Sequence, residues 1–382
     1  MKKYTLIATS SFGLEGVVSD EVKDLGFEVV KVSNGKVEFI ADAEGICLAN
    51  LWLRCAERVF IKIDEFEAYS FDSLFTRIYE YDWHNFVQAD SNVVVKAKSI
   101  KSTLFSVPDI QSICKKAIVK NIQEYNSVDW LKETGATYPV TIEILKDNVT
   151  VLLDTSGVGL HKRGYRLKTS KAPIRETLAA AIIKLSMWKK DRVFIDPFCG
   201  SGTIPIEAAL IAKNIAPGLK REFISETWDL IDKETWKRIR KEAFEDIDNE
   251  IEPKIIGTDI DFWVLKVARE NAVNAGVDDC VHFQEQSFDQ ISSKNQYGYV
   301  VTNPPYGERL SDEKEIKRLY QKLGKTLFAS LETWSFSIIT SYESFQKVFG
   351  RKANKNRKLY NGMIKCYLYN YYGPKPPRRP HN

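Results

Sequence analysis

No Cys-x-x-Cys pair and no zinc-like spacing occurs among the six cysteines (Cys47, Cys55, Cys114, Cys199, Cys280 and Cys366), which excludes a disulfide framework and points to reduced, mostly buried thiols. The four histidines (His84, His161, His282, His381) do not cluster in sequence, so no catalytic metal is expected. No apolar run approaches the roughly 20 residues that span a bilayer, so no membrane partner is expected. The basic start, Met1 Lys2 Lys3, is followed by an apolar run that breaks at Thr9 Ser10 Ser11 and Gly13 Leu14 Glu15. The expectation is therefore no export and a cytoplasmic location. A phosphate loop is missing too. The one Gly-Lys-Thr, Gly324 to Thr326, has Leu319 where the first glycine belongs and sits among Ile316, Leu319, Leu323 and Leu327 at helical spacing, so it reads as core. There are no repeats, and only the Pro-rich basic tail from Gly373 to Asn382 is of low complexity.

What remains is a globular composition, with 44% apolar and 28% charged residues in 382. That length suggests about two and a half domains. Lys plus Arg exceeds Asp plus Glu by 55 − 51 = +4, which permits a polyanionic partner without requiring one.

Along the chain, Tyr4 to Thr9 reads as a strand and Gly13 to Leu25 as a helix. The strands Glu28 to Val32 and Lys36 to Ile40 are joined through Asn34 Gly35, a strong hairpin signal. A helix over Ala43 to Arg54 and a strand over Val59 to Ile63 complete β-α-β-β-α-β, the ferredoxin-like order. Helices at Phe71 to Tyr79 and Pro108 to Glu124, with strands at Val93 to Ala97, Val140 to Leu145 and Thr150 to Leu153, suggest a second α+β module. The basic stretch His161, Lys162, Arg163, Gly164, Tyr165, Arg166 and onward to Lys171 marks a boundary. Beyond Asp191, non-alternating apolar runs at Val193, Ile255, Val281, Tyr299 and Phe336 alternate with helices. They predict a parallel sheet buried on both faces. Asn361 Gly362 adds a closing hairpin and an antiparallel strand.

Three strings carry chemistry. The first, Asp196 Pro197 Phe198 Cys199 Gly200 Ser201 Gly202 Thr203, lies between a strand and a helix, where glycines admit a ligand and the helix start offers free N–H groups. A plain tight turn is the bland alternative. The second is Asp259, at the next strand's end, placed to hold a ribose, while Asp261 suits the N-cap of the following helix. The third is Asn303 Pro304 Pro305 Tyr306, after the fourth buried strand, where an amide oxygen and an aromatic ring can grip an amino group on a planar base.

The Asp196 to Thr203 string resembles motif I of class I S-adenosylmethionine-dependent methyltransferases. Asn303 to Tyr306 resembles the Asn-Pro-Pro-Tyr motif of those that methylate planar amino nitrogens. Together with Leu160 to Arg166, Ala172 to Ala180 and Asn303 to Leu310, nearly the whole chain resembles the bacterial ribosomal RNA guanine-N2 methyltransferases with an N-terminal THUMP domain. The resemblance implies a ferredoxin-like domain at 1–68, a THUMP RNA-binding domain at 69–157, a basic linker at 158–171 and a Rossmann-like methyltransferase domain at 172–382, with a mostly parallel seven-stranded sheet. Its implied cofactor is S-adenosylmethionine and its implied partner structured RNA, ribosomal RNA above all.

Carried over by that resemblance, Asp196, Gly200 and Gly202 hold the methionine part, Phe198 and Thr203 of the same loop also bind the cofactor, Asp259 holds the ribose and Ile260 an adenine face. Gln286 or Ser287 takes the adenine edge, where many relatives carry an acid instead. Asn303 and the Pro304 carbonyl orient the amine, Pro305 fixes the loop and Tyr306 stacks on a flipped base. Glu308 and Arg309 are expected to organise the loop as an ion pair, and Cys199 is read as packing rather than as a nucleophile. Lys115, Lys116, Lys120, His161, Lys162, Arg163 and Arg166, with the acid-free tail from Arg351 to Arg379, are expected to neutralise phosphates. The alternatives are adenine-N6 methylation of RNA or DNA and a noncatalytic RNA-binding assembly factor.

Overall fold

A computed structural model describes residues 2–166, 174–306 and 313–377. The linker residues Leu167 to Lys171, the Glu308–Arg309 pair, His381 and the tail arginines Arg378 and Arg379 lie outside the described residues.

The first half runs β1 (Tyr4–Thr9), α1 (Glu15–Asp24), β2 (Glu28–Ser33), β3 (Lys36–Ala41), α2 (Ala43–Trp52), β4 (Arg58–Glu67), α3 (Phe71–Tyr79), β5 (Asn92–Ile100), α4 (Val107–Asn126), β6 (Thr137–Leu145) and β7 (Asn148–Asp154). Its strands form one sheet in the order β2-β3-β1-β4-β7-β6-β5. The two small modules are therefore joined edge to edge: β4 continues to Glu67, beyond the expected Ile63, and pairs antiparallel with β7. The β6–β7 hairpin turns on Lys146 and Asp147, both at positive φ, the backbone geometry that matches strand twist in a two-residue turn.

The second half runs α5 (Glu176–Ser186), β8 (Phe194–Asp196), α6 (Thr203–Ala212), α7 (Lys233–Glu245), β9 (Ile255–Asp259), α8 (Phe262–Ala275), β10 (Val281–Glu285), β11 (Tyr299–Thr302), α9 (Glu313–Ser330), β12 (Ser335–Thr340), α10 (Phe345–Phe349), β13 (Lys355–Asn361) and β14 (Ile364–Tyr371). The sheet order is β10-β9-β8-β11-β12-β14-β13, parallel except at β14 and β13. The apolar runs expected to be buried on both faces form the parallel strands, and the Asn361 hairpin supplies the antiparallel pair.

The order of successive strands reverses between the parallel neighbours β8 and β11. Such a switch point leaves a crevice at the strands' carboxyl ends, where ligands bind in open α/β sheets. Residues 196–203, 259–261 and 303–306 all follow strands at that edge.

A single apolar cluster runs through both halves, from Leu6 and Leu51 to Ile206 and Leu265. The segment between α6 and β9 supplies much of the join. Trp228 stacks on Tyr138 at 4.8 Å and donates its indole N–H to the Thr137 carbonyl. Among the described residues, no helix is long and apolar enough to cross a membrane.

Candidate active site

Asp196 ends β8 and is fully buried. Its Oδ1 accepts from the Thr302 hydroxyl at 2.6 Å and from the Phe198 N–H at 3.1 Å, whereas its Oδ2 has no hydrogen-bond partner. Burial pushes the carboxyl up to about 7, against the two donated hydrogen bonds and with a smaller push from Asp259. An unsatisfied buried carboxylate oxygen suits a cationic donor, since pairing would offset the desolvation that raises the group.

Thr302 ends β11, the strand paired with β8, so the Asp196–Thr302 bond ties the glycine loop to the Asn303 loop. Asn303 is 7% exposed and its Oδ1 also lacks a partner. A buried acceptor left unpaired costs about 1–3 kcal/mol. Two such oxygens on neighbouring strands mark a place built to receive donors.

The glycines divide the work. Gly200 sits at φ +52, a Cβ there would meet nothing within 4 Å, and its N–H donates to Asp259 Oδ2 at 3.0 Å. Gly202, at φ +83, faces packing instead: a Cβ would lie 2.9 Å from the Phe283 ring and 3.1 Å from Ala268. Gly202 also occupies the N-cap of α6, where it supplies no side-chain cap. The first-turn N–H groups beside Thr203 thus face the loop without a capping side chain, an arrangement that favours an anion.

Asp259 Oδ1 accepts from the Asp261 N–H at 3.1 Å, and Asp261 Oδ1 caps α8 through Trp263 and Val264. Ile260 is 72% exposed, an apolar surface beside the crevice. The Gln286 N–H donates to the Asp259 carbonyl, and its side chain is held between Gln284 and Gln290. Ser287 precedes the short turn at Phe288, whose ring lies 5.1 Å from that of Phe198. Cys199 is buried and its thiol is held far above the ordinary range by desolvation, which leaves no thiolate for attack.

On the substrate loop, Pro304 is buried and Tyr306 half-buried, its hydroxyl 3.8 Å from Cys366 Sγ. The Pro305 carbonyl accepts from Tyr320, which also bonds Thr340. The sequence assigns no role to Thr302 or Tyr320, because their roles depend on strand register and on a helix that returns to the loop.

Two expected RNA contacts are corrected. Arg163 is 4% exposed, donates to the carbonyls of Leu160 and Arg54 and lies 3.6 Å from the fully buried Glu207. Arg166 is largely enclosed too: it bonds Thr203 Oγ1 at 2.6 Å and the Ile174 carbonyl, and pairs with Glu176. Both guanidiniums are spent on stapling the linker to the rest of the protein.

His161 is half-buried beside Glu57, while Lys162 is exposed. Lys116 and Lys120 are exposed on α4, and Lys115 pairs with Glu133. Lys115 and Lys116 border a shallow groove of about 460 Å³ with Trp130, 80% exposed, an aromatic that the sequence reading passed over. Among the described residues, no group of three or more His, Cys, Asp or Glu is placed to hold a metal.

Comparison with known proteins settles the family. A profile described as RMKL-like, methyltransferase domain matches residues 163–370, the RlmL ferredoxin-like domain matches 5–60 and the THUMP domain matches 68–154. The chain belongs to the RMKL-like methyltransferase family. Within it, the chain is 48% identical over 381 residues to the candidate RNA methyltransferase YpsC of Bacillus subtilis, covering 99% of this chain and 98% of that protein. It is 35% identical to the ribosomal RNA large subunit methyltransferase K/L of Legionella pneumophila, covering 96% of this chain but only 52% of that longer protein. Among solved structures, SMU.472 complexed with SAH superposes with a TM-score of 0.94 at 44% identity over 99% of this chain and 100% of that one. A Listeria monocytogenes structure described as a predicted N6-adenine-specific DNA methylase matches at 0.93 and 49% over 98% and 97%. The RMKL-like chain is thus a methyltransferase that uses S-adenosylmethionine. Its crevice fits that cofactor, with an orphaned carboxylate oxygen at Asp196 and open space over Gly200.

Proposed function

We propose that this chain methylates the exocyclic N2 amine of a guanine in 23S ribosomal RNA, in the cytoplasm. The observation that carries the reading is the pair of buried, unpartnered acceptors, Asp196 Oδ2 at the end of β8 and Asn303 Oδ1 just past the end of β11, joined by the Thr302 bond. The THUMP match and the name of the K/L relatives support RNA, and large-subunit ribosomal RNA in particular.

Bound S-adenosylmethionine supplies an activated methyl group on a sulfonium, so the protein's task is alignment. Asp196 Oδ2 accepts from the amino-acid ammonium, and the uncapped α6 start beside Gly202 and Thr203 receives its carboxylate. The open face of Gly200 leaves room for the chain between them. Asp259, steadied by the Gly200 and Asp261 N–H groups, takes the ribose hydroxyls. Ile260 lies on the adenine, and Gln286 or Ser287 faces its edge.

On the other side, Asn303 Oδ1 and the Pro304 carbonyl accept the two amine N–H bonds, which fixes the nitrogen lone pair on the in-line axis. These bonds strengthen as positive charge builds on nitrogen. Pro305, bonded to Tyr320, stiffens the loop, and Tyr306 stacks on the base. Lys116, Lys120 and Lys162 meet phosphates, and Trp130 offers a stacking face.

The test is single-turnover transfer of labelled methyl to 23S transcripts. Asn303→Ala should lower the rate by on the order of a hundredfold with little change in cofactor affinity, the scale of one transition-state hydrogen bond. A full rate in that variant would remove Asn303 from the reaction. The adenine-N6 reading is kept in view by the description of the Listeria structure, and nucleoside analysis of the product separates the two.

A further inference from the structure

The most exposed large apolar side chain among the described residues is Met363, at 96%. It sits with Gly362 in the two-residue turn between β13 and β14, where Asn361 pairs with Ile364, itself 46% exposed. An apolar tip held in water needs an explanation.

Three observations surround it. First, the tip is rigid. β13 and β14 pair at seven register positions, Tyr360 packs edge-on against Phe12 at 6.1 Å, and Arg357 donates to the Gly13 carbonyl. Second, the hairpin is basic. Lys355, Arg357 and Lys358 are exposed along β13, the Arg175 guanidinium lies beside Gly362, and no acid occurs between Arg351 and Pro377. Two members are already engaged, Lys365 by Glu343 and Arg175 by Glu57. Third, the hairpin leads to the substrate loop. Tyr306 reaches Cys366, three residues beyond Met363 on β14, so the tip stands about 10 Å along the strand from that contact at about 3.3 Å per residue.

We propose that Met363 is an apolar wedge that enters the RNA base stack beside the nucleotide drawn into the Asn303 site, with the cations of β13 holding the flanking phosphates. The inference rests on the RNA methyltransferase reading above and deepens it. A base taken out of a helix leaves a gap, and an inserted apolar side chain offsets the lost stacking and holds the duplex open. A flexible, polarizable thioether on a rigid two-stranded support suits that use. The surrounding positive charge matches a polyanion, which favours RNA over a protein partner at this tip.

The experiment uses the full chain, labelled S-adenosylmethionine and folded 23S transcript, with the methylated position mapped by primer extension. A second transcript carries a substitution that unpairs the mapped target. Met363→Gly should slow single-turnover methylation of the paired target by roughly tenfold and leave the unpaired target at the wild-type rate, because only the first requires extrusion. Met363→Leu, which keeps the apolar bulk, should restore most of the paired rate. Equal loss on both transcripts, no loss on either, or a target already unpaired in the free RNA would overturn the wedge. No methylation of RNA by the wild-type protein would overturn the underlying reading and the wedge with it, an outcome that involves no Met363 variant and is therefore distinguishable.

Discussion

Asp196→Asn is the perturbation with the clearest double signature. The amide keeps an oxygen for the Thr302 and Phe198 donors and replaces the orphaned Oδ2 with an N–H pair. The wild-type carboxyl rises from an ordinary 3.8 to about 7 through burial, which corresponds to about 4 kcal/mol between the two protonation states. Because the folded value is raised, the native state binds a proton that the unfolded state has released over the window from 3.8 to about 7. Stability from this group is complete below that window and is lost as pH rises through it. From pH 5 to pH 8 the ligand-free wild type should therefore lose about 3 kcal/mol that Asp196→Asn does not lose, approaching a plateau above 7. The same substitution removes the acceptor for the cofactor's ammonium and presents a donor in its place. S-adenosylmethionine binding should weaken by at least about 2 kcal/mol, or roughly thirtyfold. Urea titrations across pH and calorimetry with the cofactor read the two effects. Parallel pH profiles together with unchanged affinity would refute the assignment of Oδ2 as a buried, unpaired acceptor awaiting a cation.

Gly200→Val should abolish cofactor binding by calorimetry while circular dichroism still reports a folded chain: the added methyls meet no protein atom within 4 Å, and the strain of a β-branched residue at φ +52 lowers stability without a clash. Arg163→Ala should destabilise by about 3–5 kcal/mol in denaturant titrations, leaving the buried Glu207 carboxyl without its ion-pair partner and held by the Tyr165 hydroxyl alone. A surface role would instead have predicted a change in RNA affinity with little change in stability. Lys116→Glu combined with Lys120→Glu should weaken RNA binding and flatten its salt dependence in filter-binding assays, with cofactor affinity unchanged.

The residues at the sheet edge were readable because their chemistry is local. Asp196 and Asp259 end strands built on buried apolar runs, Gly200 and Asn303 lie in the loops that follow such strands, and Asp261 caps its helix as its position suggested. The basic stretch misled for the opposite reason. Arg163 and Arg166 stand among cations in sequence, but their partners, Glu207, Thr203 and Glu176, come from distant or later elements that no local charge pattern reveals. The joining of two small modules into one sheet depends on β4 outrunning its apolar stretch. Its outer residues, Asp64 to Glu67, lie beyond the apolar run that ends at Ile63 yet pair with Val151 to Asn148. The Thr302 bridge likewise needed the register of β11 on β8, which only the assembled sheet supplies.

The most direct measurement is quantitative mass spectrometry of nucleosides from purified 23S ribosomal RNA of strains with and without the gene, with site mapping of any difference. The account predicts the loss of N2-methylguanosine at a defined position and its return on complementation with the wild-type protein but not with Asn303→Ala. Unchanged N2-methylguanosine, or loss of N6-methyladenosine in its place, would contradict it.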